Sequence, residues 1–154
     1  FRKGKIGRYR SYTSAGDLKP QYLSFLASFS KVPVLYVHGN HDDCYDIQPP
    51  DGCIDIENKI YVYKGVRIMG LGGSIRYKKG KNQYTQKEMN HRINKMWLSI
   101  KKNKGFDILL THSPAAGIVT DLTNRIRVLR ALIICWKNIS LSILSMVISI
   151  GATR

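Results

Sequence analysis

Three short stretches of this chain end in side chains able to hold a metal ion or move a proton. Pro33-Val34-Leu35-Tyr36-Val37 runs into His38-Gly39-Asn40-His41-Asp42. Ser14-Ala15 runs into Gly16-Asp17, and Phe106-Asp107-Ile108-Leu109-Leu110-Thr111 runs into His112-Ser113-Pro114. A carboxylate, an amide oxygen and an imidazole form a mixed oxygen and nitrogen donor set suited to Mn, Fe, Zn or a similar divalent ion. An imidazole also titrates near neutrality, which suits it to general acid catalysis. Taken singly, each residue has a plainer reading. Asp17 could cap a helix, Gly39-Asn40 could be a polar turn, and His112 could be a structural histidine. Together they read as ligands at strand ends, because open α/β sheets bind ligands outside the carboxyl ends of their strands.

The elements that must position these groups are legible from pattern. Val34–Val37 reads as a short buried strand, and Gly39 lets the backbone turn so that Asn40, His41 and Asp42 emerge together. Asp17 leads into a helix over Pro20-Gln21-Tyr22-Leu23-Ser24-Phe25-Leu26, with Pro20 in its first turn. Lys59–Tyr63 and Val66–Gly70 read as a hairpin turning at Lys64-Gly65. Gly70-Leu71-Gly72-Gly73-Ser74 departs from the dinucleotide-binding fingerprint, since Ile75 takes the sixth position and no helix follows at once. A tight loop beneath the metal site is expected instead. Tyr84–Lys102 reads as a helix with Thr85 and Glu88 as a capping box. Met89, Ile93, Met96, Trp97 and Ile100 are its expected core face, and Lys101, Lys102 and Lys104 suit the negative end of its dipole. His91 and the remaining lysines read as a solvated face. Asp17, Asn40 and His112 are expected to project from one edge of one sheet.

At 154 residues, 44% hydrophobic and 10% aromatic, the chain reads as one globular domain. Cys44, Cys53 and Cys135 are an odd number without a Cys-x-x-Cys pair, which predicts a reducing intracellular, cytoplasmic setting. Phe1–Arg10 carries five basic residues and no apolar core follows, so no secretory leader is expected. The net charge is +15, yet residues 1–10 and 125–154 each hold five basic residues and no acid, while 11–124 holds 15 basic against 10 acidic. With no RNA-binding sheet motif, zinc finger or heptad seam, nucleic acid is expected only as a non-specific electrostatic partner. The longest uncharged run, Asn138–Thr153, has 16 residues, short of the roughly 18 apolar residues of a membrane span.

In order and spacing, Gly16-Asp17, Gly39-Asn40-His41-Asp42 and Thr111-His112 resemble the motifs of the calcineurin-like metallophosphoesterases, over about residues 14–124. The resemblance implies an α/β fold, a four-layer α/β/β/α sandwich, here in truncated form. It implies a dinuclear centre of Mn, Fe, Zn or similar ions and phosphate mono- or diesters as substrates. Asp17 would bridge the ions, Asn40 and His112 would hold one of them, His41 would protonate the leaving oxygen, and Asp42 would orient the His41 imidazole. The family's opening Asp-x-His and closing Gly-His-x-His are absent from the sequence, and Pro20 stands where a second acid is common. A chain so reduced is expected to have little or no phosphoesterase activity. A non-catalytic remnant or binding module of the same fold is one alternative, and a basic nucleic-acid binder is another.

The expected organisation is a basic start at 1–13, the metallophosphoesterase-like core at 14–124, and a divergent tail at 125–154. Ile143–Ile150 reads as an apolar helix or strand. If Ser145, Val147 and Ser149 use codons ending in C, a shifted frame can read Val-His-Gly-His-Ile-His, the missing closing motif. Arg10–Ser14 likewise permits Asp-Leu-Ile-Leu. Sequencing the transcript tests this: a single open frame with other codons at these positions excludes it.

Overall fold

The structure, a computed structural model, describes residues 11–113 and the strand at 145–148. The first two donor stretches leave one parallel sheet, built from β1 (Tyr12–Ser14), β2 (Val34–Tyr36) and β3 (Ile54–Asp55), with β2 in the centre. Tyr12 pairs with Val34, Ser14 with Tyr36, and Leu35 with Ile54. The helix α1 (Pro20–Phe29) connects β1 to β2 and begins with proline, whose fixed φ and missing N–H suit the first turn. Its N-cap is Lys19, not Asp17. A short 3-10 turn, Asp43–Asp46, follows the β2 loop.

A second sheet runs in the order β4 (Ile60–Tyr63), β5 (Val66–Leu71), β8 (Ile108–Thr111), β9 (Ser145–Ile148). β4 and β5 form the expected antiparallel hairpin, and Lys64 and Gly65 at its turn both have positive φ, 49° and 83°. That is the twist a two-residue hairpin turn needs. β5 pairs with β8 in parallel, and β8 with β9 in parallel, Ile108 opposite Ser145 and Thr111 opposite Ile148. Of the readings for the apolar tail, residues 145–148 therefore form a strand. The readings of Cys135 and of the basic first ten residues lie outside the described residues. β6 (Ser74–Ile75) and β7 (Gln83–Tyr84) make a small parallel pair that brackets residues 76–82.

Alternation along the strands sorts the core into three contacts. Leu35, Val37 and Ile56 of the first sheet meet Ile68 and Leu110 of the second, so the two sheets pack face to face. Tyr36, one residue out of phase, points to the other face and packs with Leu23 of α1 and with Tyr45. Met69, Leu71 and Leu109 cover the far face of the second sheet against Met89, Ile93, Met96 and Ile100 of α2 (Gln86–Lys102). The layers therefore run α1, first sheet, second sheet, α2. This is the expected α/β/β/α order.

The α2 capping box is present, with the Thr85 hydroxyl accepting from the Glu88 N–H and Glu88 accepting from the Thr85 N–H. One expected core residue is corrected: Trp97 is 52% exposed, whereas Met96 is buried. Positions 89, 93, 96 and 100 form one stripe at 3.6 residues per turn, and residue 97 lies 100° off its neighbour in that stripe.

Candidate metal centre

The donors are brought together by the carboxyl ends of three strands. β1 ends at Ser14 and delivers Ala15, Gly16 and Asp17; β2 delivers His38 to Asp42; β8 delivers His112. β1 and β2 belong to the first sheet and β8 to the second, so the expectation of a single sheet edge is corrected. Face-to-face packing of two sheets is what aligns these edges. Two glycines let the first two loops touch. A Cβ on Gly39 would lie 2.1 Å from Asp17 Oδ1, and one on Gly16 would lie 2.2 Å from the Gly39 nitrogen. Gly16 also has φ 97°, and Asp17 follows it at φ 61°, a region aspartate tolerates better than most side chains.

The imidazole of His112 is held from one side. Its Nδ1 is 2.7 Å from the Ala15 carbonyl oxygen, which only accepts, so Nδ1 carries the proton. Nε2 then faces Asn40 Oδ1 at 2.9 Å and Asp17 Oδ2 at 3.7 Å. The Asn40 amide nitrogen donates to the Tyr77 hydroxyl at 2.9 Å, which leaves its carbonyl oxygen turned to the imidazole. With a neutral ring, a nitrogen lone pair and two oxygen acceptors converge. Such a set is chemically suited to a divalent cation, and a backbone bond on the far ring nitrogen is the usual support of a ligating histidine. The donor set fits one divalent ion.

Asp42 does something other than orient His41. It is buried, and its Oδ2 accepts the N–H groups of Gly39 at 2.7 Å and Asp17 at 2.8 Å. Burial pushes its carboxyl above the usual range, against the pull of those two hydrogen bonds. The side chain turns inward because two amide donors of the touching loops need an acceptor there. His41 is exposed, and among the described residues its ring has no hydrogen-bond partner; its backbone N–H donates to Asp17 Oδ1 at 3.1 Å. The Asp42–His41 pairing is therefore corrected.

The floor of the site rests on residues that sequence reasoning passed over. Glu57 accepts the N–H of His38 at 3.0 Å and that of Gly72 at 3.0 Å, and it pairs with Arg92. The two side chains of this pair are 12% and 11% exposed. Arg92 also donates to the Gly72 carbonyl at 3.0 Å and lies 4.1 Å from the centre of the Tyr84 ring. Gly73 donates to the His38 carbonyl at 2.7 Å, and a Cβ on Gly72 would sit 2.2 Å from that same oxygen. The glycine loop thus lies directly beneath the end of β2. No local pattern marks Glu57, because the partners of its carboxylate in this floor lie 15 to 35 positions away, Arg92 among them.

Residues 11–131 match the family model described as calcineurin-like phosphoesterase, a span that contains all three donor stretches. The chain belongs to the calcineurin-like phosphoesterase family. No curated protein matches it. The calcineurin-like phosphoesterases are generally dependent on two metal ions. Among the described residues of this member, no group of three or more His, Cys, Asp or Glu side chains is placed to hold an ion, and the converging set is one carboxylate, one amide and one imidazole. No helix among the described residues is long and apolar enough to cross a membrane.

Proposed function

We propose that Asp17, Asn40 and His112 hold a divalent ion such as Mn, Fe or Zn, and that the site hydrolyses phosphate mono- or diesters. The observation that carries this is the convergence of His112 Nε2, Asn40 Oδ1 and Asp17 Oδ2, with Nδ1 already committed to the Ala15 carbonyl. When bound, the ion supplies Lewis acidity toward a phosphoryl oxygen. The rest falls to the chain. Asp17 splits its carboxylate, Oδ1 taking the His41 N–H while Oδ2 faces the imidazole side of the site. His41 is exposed and its backbone N–H is bound to Asp17 Oδ1, and this reading gives its imidazole the role of proton donor to the leaving oxygen of the ester. Asp42 holds the Gly39 and Asp17 amides and so keeps the two loops in register.

The test uses the full chain and bis(4-nitrophenyl) phosphate with added Mn2+. Manganese-dependent hydrolysis that falls by about 100-fold or more in Asn40→Ala and His112→Ala, with circular dichroism unchanged, supports the reading. Calorimetry showing no Mn2+ binding by the wild-type chain overturns it. Mn2+ binding without turnover supports instead a metal-holding module of the same fold, a reading favoured by the single converging donor set.

A further inference from the structure

We propose that Tyr77 is a positioning residue for the metal ligand Asn40, its hydroxyl holding the amide so that the carbonyl oxygen faces the ion. The proposal rests on the metal site inferred above. An asparagine side chain presents oxygen on one edge and NH2 on the other, and only the oxygen ligates a cation. Turning the oxygen toward His112 points the NH2 away, where it needs an acceptor. The Tyr77 hydroxyl, 2.9 Å from Nδ2, is that acceptor, although it lies 37 positions along the chain.

The segment that carries Tyr77 is held in place by backbone bonds at its base and by part-buried bonds to Gln83. Residues 76–82 span the gap between β6 and β7, whose short parallel pairing sets Ser74 opposite Gln83 and Ile75 opposite Tyr84. Ser74 donates to the Asn82 carbonyl at 2.9 Å and Arg76 to the Tyr84 carbonyl at 3.0 Å, closing the base of the loop. Gln83 is 2% exposed, and its Oε1 accepts the backbone N–H groups of Tyr77 at 3.4 Å and Lys78 at 3.3 Å. A buried glutamine bonded to the backbone of an exposed tyrosine fixes where that tyrosine's Cα sits. Below, the Gly73–His38 bond ties the same segment to the end of β2, two residues before Asn40. The phenol and the amide therefore meet through a continuous set of bonds.

Groups that orient a metal ligand typically contribute about 10- to 100-fold to metal affinity or activity. Tyr77 is 51% exposed, so Tyr77→Phe and Tyr77→Leu are expected to fold with unchanged melting temperature. Mn2+ affinity is measured by titration calorimetry on the full chain, and the Asn40 side-chain amide is followed by 1H–15N spectra without metal. Both variants are expected to weaken Mn2+ binding by about tenfold and to displace the metal-free Asn40 amide signal. A role for the ring alone would leave Tyr77→Phe like wild type. Wild-type affinity in Tyr77→Phe overturns the proposal by itself. A wild-type chain that binds no Mn2+ overturns the metal reading and this one with it.

Discussion

Asp17, Asn40 and His112 stand out only as a set, because each alone has a plainer structural use and the three together at strand ends form a mixed oxygen and nitrogen donor set. What each one touches follows a different logic. Asp42 was expected to face His41, its sequence neighbour, but it accepts amide protons from Gly39 and from Asp17, 25 positions upstream. Those contacts exist because Gly16 and Gly39 allow two loops to meet at less than side-chain distance. Gly16→Ala introduces a Cβ 2.2 Å from the Gly39 nitrogen at a φ of 97°. It is expected to lower stability by about 2–3 kcal/mol, since strain at positive φ adds to overpacking against backbone. Urea unfolding of the variant beside wild type measures this; a loss within 0.5 kcal/mol would contradict the close approach of the loops.

At the scale of elements, boundaries came from local chemistry and faces from periodicity. The Thr85–Glu88 box and the proline at the start of α1 set helix starts that the structure shares. The Lys64-Gly65 turn set the hairpin register. Trp97 shows where this reasoning fails: it follows Met96 directly and is apolar, yet the stripe is already complete with Met89, Ile93, Met96 and Ile100. A helix face has room for one stripe, and the neighbouring residue stays outside it. Met96→Ala is therefore expected to cost about 2–4 kcal/mol through the cavity it leaves. Trp97→Ala is expected to cost less than about 1 kcal/mol, as exposed substitutions do. Chemical denaturation of the two variants side by side checks the contrast, and equal losses would place Trp97 in the core after all.

For the molecule as a whole, the four layers depend on ties between distant segments, and two of these titrate with opposite sign. Arg67 on β5 pairs with Asp107 ahead of β8 at 2.6 Å and also donates to the Asn103 carbonyl. The Arg67 hydrogen bond holds the Asp107 carboxyl below its usual range. That contribution is present above the ordinary carboxylate pKa and is lost as pH falls through the lowered one. Asp42 is the reverse. With its carboxyl raised by burial, its contribution is greatest below the ordinary aspartate pKa and is lost as pH rises through the raised one. Melting temperatures from about pH 3 to pH 7 separate the two. The deficit of Asp107→Asn relative to wild type should shrink as pH falls. Asp42→Asn keeps an oxygen that can accept both amides, and it should gain on wild type as pH rises. A pH-independent difference in either variant would remove that carboxylate from the account.

The α/β class, the helix starts and the hairpin are legible in the sequence alone, as are the types of the three side chains that the structure brings together. Each of these is written in residue type and short spacing, where covalent geometry and backbone propensity act. The packing of the chain sets the rest: the three side chains come from two sheets, Asp42 serves the loops, Glu57 and Arg92 lie under the site, and Tyr77 meets Asn40. Apart from the short Asp42–Gly39 bond, these contacts join positions 15 to 97 residues apart. Their partners are chosen by which sheet faces pack and which glycines leave room, and no local pattern encodes that choice.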